Sequence, residues 1–342
     1  MIAQILEAAA MPEGWDAPTA FRSPLLASAP RRVNRLARDP RWRVRYVTAW
    51  EGDTLLGSLA LCTPQVAQVT DPDYDLLALF PEYADALPED ARNWALLGGA
   101  RDLAGGFALR RNTDPAVAEH IKTSLAAAAV KVCRSEGLVP AALYVHDDDA
   151  AGFSDPGLGG KSVLQMGETA VLDLPYASMD DYLESFKERR RYIRRDWRLF
   201  EQSGLCSAVH PAADVLAQAA PLVSGLKAKH DLREDPRIAA FRLRQWMGAE
   251  VGEYLAFTVS DPAGDLVAAC FVCRSGESME AYEIGLTDNP DTRLLGYLEG
   301  GFYAPIRYAL AEGVSRFELG MAASATKRGR GATTAGIWGF LF

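Results

Sequence analysis

The sequence predicts an α+β protein with two units, each a mixed, mostly antiparallel sheet flanked by helices. The chain has 342 residues, which suits two domains of ordinary size. Hydrophobic residues make up 49% and charged residues 24%, both typical of globular proteins. Strand-like and helix-like segments also recur in one order in both halves. A glycine-rich connector, residues 152–160, leads us to expect domains of residues 1–160 and 161–342.

The first segment of the first half with a clear structural pattern consists of two apolar runs around a turn. Residues 43–62 are strand-like on both sides of Glu51-Gly52-Asp53, which predicts a hairpin. Asp114 and Pro115 predict an N-cap and first turn for a helix that ends before Gly137. The other expectations for this half are an acidic insertion at 63–92, strand character at 93–109 and a strand at 138–145.

The second half shows a longer series of elements. Its most distinctive one is a basic helix to about Gln202, opened by a capping box at Ser178-Met-Asp-Asp181. The other expected elements are strands at 169–174, 254–260, 266–273, 279–286 and 316–319, and helices at 211–230, 236–251 and 294–311.

The two halves share turn residues as well as element order. Gly52-Asp53 and Gly264-Asp265 each lie in a hairpin turn, and a Gly-capped helix followed by a strand comes later in both halves. We therefore expect a tandem duplication.

Composition excludes several function classes. With 36 basic and 45 acidic residues the net charge is −9, which disfavours DNA and acidic membranes as partners. The first residues do not resemble a signal peptide, and no apolar run reaches the length of a membrane span, so we expect a cytoplasmic protein. Five scattered cysteines fit a reducing compartment. The sequence shows no metal-site pattern, nucleophile elbow, P-loop or dinucleotide fingerprint.

The basic helix is the local exception to this charge. Residues 187–198 hold seven basic and two acidic side chains, a local charge of +5. The apolar stripe of the helix passes through Phe186, Ile193 and Trp197, and Arg190 occupies a stripe position. A guanidinium there needs a carboxylate partner or an anionic ligand. The outer arginines are expected to form a solvated face, whereas Arg190 and Arg194 are candidates for ligand contact.

These residues resemble a known family. The segment YLESFKERRRYIRRDWRLFEQSGL is similar to the basic helix of the Fem-like, peptidoglycan-biosynthesis branch of GNAT-type acyltransferases. The later segments VAACFVCRSGESMEAYEIGLTDN and LGYLEGGFYAPIRYALAEGVSRFELGMAASATKRGRG resemble the catalytic half of the same family. The resemblance covers residues 169–331 directly, and the first half through element order.

The resemblance implies tandem GNAT folds that join an acyl group to an amine. Fem-type enzymes use aminoacyl-tRNA, and other members of the branch use acyl-CoA or a phosphopantetheinyl carrier protein. By position, Arg190 matches an arginine that grips substrate phosphate. Lys327 matches a lysine that polarises the transferring carbonyl. Arg293 and Gly296 occupy the place of a GNAT turn that holds pyrophosphate, although Leu298 replaces a small residue of that pattern.

Acyl transfer to an amine also needs a group that removes a proton. His230, beside Asp231 at a predicted helix end, is one candidate, and an exposed helix-terminal histidine is its alternative interpretation. Glu283, next to Tyr282 in an apolar strand, is the preferred candidate, with a solvent-facing strand residue as the alternative. Lys327, Arg328 and Arg330 form a second basic patch, which is either a charged loop or, with Arg190, the lining of a phosphate channel.

Together these features predict an N-acyltransferase of specialised-metabolite biosynthesis, with its active site in the second half. The expected donor is an acyl thioester on CoA or a carrier protein, the acceptor is a small amine, and no permanently bound cofactor is expected. Aminoacyl-tRNA-dependent transfer and a non-catalytic GNAT-derived binding module are the alternatives.

Overall fold

A computed structural model describes residues 4–11, 15, 21–186, 190–229, 232 and 234–342. The chain divides into two units, one of residues 1–168 and 335–342 and the other of residues 169–334. The boundary therefore differs from residue 160, and the last strand returns to the first unit. None of the described helices is long and apolar enough to cross a membrane.

The strands are β1 (Gln4–Ala8), β2 (Phe21–Arg22), β3 (Trp42–Glu51), β4 (Thr54–Pro64), β5 (Trp94–Leu97), β6 (Ala108–Arg110), β7 (Val139–His146), β8 (Ser162–Asp173), β9 (Cys206–Pro211), β10 (Glu253–Ser260), β11 (Leu266–Ser275), β12 (Ser278–Leu286), β13 (Arg316–Met321) and β14 (Thr333–Leu341). The α-helices are α1 (Pro30–Leu36), α2 (Leu76–Leu79), α3 (Pro115–Ser135), α4 (Asp147–Phe153), α5 (Met179–Glu184), α6 (Arg190–Gln202), α7 (Ala212–Ala228), α8 (Pro236–Met247), α9 (Pro290–Leu298), α10 (Ala304–Ala311) and α11 (Ser324–Arg328).

The first unit has the strand order β1-β3-β4-β5-β7-β14, with β6 paired to β4 and β2 to β6. Only β5 and β7 run parallel; the other registered pairs are antiparallel. Helix α3 begins at the predicted cap, where the Asp114 carboxylate accepts the N–H groups of residues 116 and 117. Its apolar face, including Ile121 and Leu125, packs on Leu59 and Leu61 of β4.

The second unit repeats this order as β9-β10-β11-β12-β13-β8. Here β12 and β13 are the parallel pair, in the place of β5 and β7. The hairpin turns contain Gly52 and Gly264, with φ of +57° and +89°, left-handed values that glycine adopts readily. Both hairpins and the repeated order confirm the predicted α+β duplication.

The long helix predicted at 294–311 is divided. Helix α9 begins earlier, at Pro290, because the Asn289 side chain accepts the N–H of Asp291 as an N-cap. A π-helical turn, Glu299–Tyr303, then separates α9 from α10. The aromatic residues Phe302 and Tyr303 of this turn are buried in the core of the second unit.

Candidate active site

The parallel strands of each unit stop pairing part-way along their length. In the second unit β12 and β13 pair only through residues 278–280 and 316–318. We call the interval between residues 281–286 of β12 and residues 320–321 of β13 the strand opening. In the described chain this stretch of β12 is not in register with β13, so a ligand backbone could bind between them.

The corresponding interval in the first unit is filled by the chain itself. After β5 and β7 stop pairing, Gly105 forms an isolated parallel bridge with Val145, and its N–H donates to the Tyr144 carbonyl at 3.1 Å. A Cβ at residue 105 would lie 2.4 Å from the Leu143 carbonyl oxygen, so only glycine fits. The second unit is therefore the one with a strand opening.

Lys327 lies at the edge of the strand opening. Lys327 is 6% exposed, and its Nζ donates to the carbonyl oxygens of Gly320 at 2.8 Å and Met321 at 2.6 Å. Burial lowers the pKa of Lys327 to about 8. An ammonium has three N–H donors, and in the described chain two of them have acceptors. One N–H is thus available for a substrate carbonyl.

A buried polar cluster supports the segment that carries Lys327. Arg330 Nη2 donates to Asp196 Oδ2 at 3.1 Å, and Tyr303 Oη donates to the same oxygen at 2.9 Å. The sequence argument missed Asp196 and Tyr303. The sequence does contain a signal for Asp196, because this acidic residue follows Ile193 by three positions and so lies on the buried side of a basic helix.

Helix α6 presents a shallow groove of about 480 Å³. Arg190 pairs with Glu184, and Arg194 lies 3.5 Å from the same carboxylate. Arg191 and Arg198 have no acidic partner among the described residues. The groove is lined by Arg190, Arg191, Arg194, Trp197, Arg198 and Glu201.

Arg190 is not buried on the apolar stripe as expected. Its side chain is 37% exposed. The predicted single helix is interrupted, since α5 ends at Glu184 and residues 185 and 186 are not helical. Arg190 lies in the groove of α6 instead.

Glu283 belongs to a network of ion pairs. Its carboxylate accepts a hydrogen bond from Arg242 of α8 and lies 3.5 Å from Lys227 of α7. Glu234 pairs with the same two cations, at 2.9 Å from Arg242 and 3.4 Å from Lys227. Tyr282 stacks on Trp246 with ring centroids 4.6 Å apart.

The structure does not bring Glu283 and Lys327 together. Gly285, two residues after Glu283 and on the same face of β12, packs against Leu222 of α7. Ile284 points to the other face, where it meets the π-helical turn at Gly301. Lys327 lies on this second face, near Cys270, the residue opposite Ile284. The role of Glu283 as a base stays a prediction.

Arg293 and Gly296 lie inside α9 rather than in the turn before it. A Cβ on Gly296 would lie 2.7 Å from Val267 Cγ1, so this glycine allows α9 to pack closely on β11. Arg293 lies 3.6 Å from Asp288, and Leu298 is buried in the core. Arg328 is exposed on α11. His230, with Asp231, lies outside the described residues.

The amino-acid sequence of this region is similar to that of a known domain family. The sequence profile of the acetyltransferase (GNAT) domain matches residues 187–328, which include α6, the strand opening and Lys327. This match covers most of the second unit and less than half of the chain. No curated protein matches the chain significantly.

Solved structures extend the likeness to the whole chain. FemX is similar with a TM-score of 0.66 and 12% identity, over 98% of this chain and 96% of its own. A tandem GNAT protein from the clavulanic acid biosynthesis pathway has a TM-score of 0.52 and 14% identity, over 98% and 97%. L-PGS from Bacillus licheniformis has a TM-score of 0.52 and 11% identity, over 90% and 86%. The chain thus has a tandem GNAT fold, similar to the fold of FemX.

Proposed function

We propose that the protein is an N-acyltransferase that transfers an acyl group from a thioester to the amine of a small molecule. The thioester is carried by CoA or by a phosphopantetheinyl carrier protein, and the reaction belongs to cytoplasmic specialised metabolism. The observation that carries the proposal is the strand opening of the GNAT unit, with the buried ammonium of Lys327 at its edge.

The proposed reaction balances without a further reactant. The neutral amine attacks the thioester carbonyl, a C–N bond forms, and the C–S bond breaks. The amine loses one proton, and the departing thiolate gains one. The free N–H of Lys327 would donate to the carbonyl oxygen as negative charge develops on it.

The groove of α6 supports an anionic donor. Arg191 and Arg198 lack acidic partners in the described chain, and Arg190 and Arg194 share the single carboxylate of Glu184. These guanidinium groups suit the phosphates of CoA or of a phosphopantetheine arm. They also favour the second candidate, an aminoacyl-tRNA donor, although the net charge of −9 weighs against a large polyanion.

The experiment is a donor comparison followed by intact-mass spectrometry. Wild-type protein is incubated with an amine pool and, separately, with acyl-CoA, acyl-carrier protein and charged tRNA. We expect a product that is heavier than one amine by the acyl group, from a thioester donor only. Lys327→Met should abolish it, whereas Lys131→Met, at an exposed position of α3, should not.

The salt dependence of the rate separates the donors. Turnover with a carrier protein or tRNA should weaken as ionic strength rises, because screening reduces contact with the groove. Turnover by charged tRNA alone would favour the second candidate. Absence of product with all three donors would favour the non-catalytic binding module.

A further inference from the structure

The segment that carries Lys327 has an unfavourable backbone conformation. Gly320 has a φ of +71°, and Ala322 and Ala323 have φ of +63° and +49°. Two successive alanines in the left-handed region are uncommon, because Cβ then crowds the backbone. Such a conformation persists only where surrounding contacts hold it.

Arg330 contacts α11, the short helix that follows these left-handed residues and carries Lys327. Its Nη1 donates to the Thr326 carbonyl at 3.1 Å, one residue before Lys327. Its Nε donates to Tyr303 Oη at 3.2 Å, and its guanidinium lies 5.2 Å from the centroid of the Phe302 ring. The Arg330 carbonyl accepts the hydroxyl of Tyr182 at 2.9 Å. The guanidinium thus joins the Lys327 segment to the π-helical turn.

Asp196 is the acid that fixes this guanidinium. It lies on α6 directly before Trp197, a residue of the groove, and its side chain is 11% exposed. Its Oδ2 accepts from both Arg330 and Tyr303. Trp197 packs edge-on against Tyr303, with ring centroids 5.8 Å apart. The groove helix and the Lys327 segment therefore share one buried cluster.

We propose that Asp196 is a positioning residue that acts through Arg330 to hold the Lys327 ammonium at the strand opening. Without the Asp196 carboxylate, the guanidinium loses its charged partner, and α11, which carries Lys327 next to the left-handed residues, loses its link to the π-helical turn. Lys327 then leaves the Gly320 and Met321 carbonyls and becomes accessible. The catalytic consequence rests on the proposed function, but the accessibility of Lys327 does not.

The test is acetylation of lysines by an activated ester at fixed pH, read by peptide mass spectrometry. In Asp196→Asn we expect Lys327 to react about tenfold faster or more than in wild type, because its segment opens locally. Lys122, a buried lysine of the first unit, reports unfolding that includes that unit and should keep its slow rate. Tyr303→Phe is the matched control, since it removes the hydrogen bonds of Oη with Asp196 and with Arg330 Nε but retains the Asp196–Arg330 ion pair, and it should change Lys327 reactivity little.

Three outcomes would overturn the proposal: an unchanged Lys327 rate in Asp196→Asn, an equal increase in Tyr303→Phe, or a parallel increase at Lys122. Should Asp196→Asn fail to fold, Arg330→Lys, which keeps the charge but loses the planar fork, should expose Lys327 in the same way. Unchanged labelling in that variant would also overturn the proposal.

Kinetics separate this inference from the proposed function. Asp196→Asn should lower kcat with little change in KM for the amine, and Asp196→Glu should restore part of the rate. If Lys327→Met leaves turnover unchanged while Asp196→Asn still exposes Lys327, the catalytic role of Lys327 is wrong and the positioning contact stands.

Discussion

Burial of Lys327 makes a quantitative prediction about stability against pH. The folded protein holds this ammonium among backbone carbonyls, and the described chain supplies no carboxylate to it. Burial therefore lowers its pKa from 10.5 to about 8. The unfolded chain exposes the same group to water, where the ordinary value applies. Between these two pKa values the unfolded state binds more protons than the folded state, so stability rises with pH.

The size of the effect follows from the two pKa values. Below pH 8 both states are protonated, and the cost of burying the charge is fully present. At about 1.4 kcal/mol for each tenfold change in an equilibrium constant, the difference between 10.5 and about 8 amounts to about 3 kcal/mol. Most of this, about 2–3 kcal/mol, should be recovered between pH 7 and pH 10.

Urea denaturation of wild type and Lys327→Met at pH 7, 8, 9 and 10, under reducing conditions, measures this difference. Methionine fills a similar volume but carries no charge. It leaves the Gly320 and Met321 carbonyls without their donor, a cost that does not vary with pH. Wild type should therefore gain stability relative to the variant as pH rises, while Lys131→Met should parallel wild type. Parallel curves for wild type and Lys327→Met would refute the reasoning.

Three further predictions concern other parts of the molecule. Arg190→Ala should raise KM for the donor about tenfold by removing a charge-assisted hydrogen bond, and should cost only about 0–1 kcal/mol of stability, since its ion pair is exposed; a large fall in Tm with unchanged kinetics would show a structural role instead. Glu283→Gln should lower stability by about 1–3 kcal/mol through its ion pairs, with kcat largely kept; a rate loss of about 10²–10⁴ at unchanged Tm would instead establish the base predicted from the sequence. Gly105→Ala should destabilise the first unit by about 1–3 kcal/mol through the clash with the Leu143 carbonyl, and an unchanged Tm would contradict the close packing at that position.

The sequence predicted the repeated hairpins and helices of the two units but not the edge strands or the last strand. The hairpins and the capped helix α3 have strong local signals, namely apolar runs, left-handed glycines and an Asp-Pro start. The edge strands β1 and β9 were missed because their residues are mostly exposed and show no clean alternation. β14 was missed because it follows a helix of only five residues and returns to the first unit, a pairing that no local pattern reveals.

Candidate site residues could be predicted from the sequence where the type of residue alone indicates a role. The basic helix and Lys327 were singled out from charge and from the family resemblance, and their binding and catalytic roles stay predictions. The separation of Glu283 from Lys327 could not be predicted, because the sequence does not show on which face of β12 each side chain lies. A β-bulge in β12, where Phe271 pairs with Glu283 but Val272 pairs with Ala281, also disrupts the alternation that a sequence argument would use.

The duplication suggests why chemistry is expected in only one unit. Both units build the same parallel pair and interrupt its pairing, so each could expose backbone groups there. The first unit satisfies them with its own chain, and Gly105 is the residue that permits this approach. The second unit instead places a lysine side chain beside the gap, on a segment held by a buried ion pair. Backbone groups left without partners at a gap are costly unless water or a ligand satisfies them. The second unit, which keeps the strand opening, is therefore the one in which we expect a ligand to bind. A carbonyl of that ligand would accept the remaining N–H of Lys327 and so stabilise its buried charge.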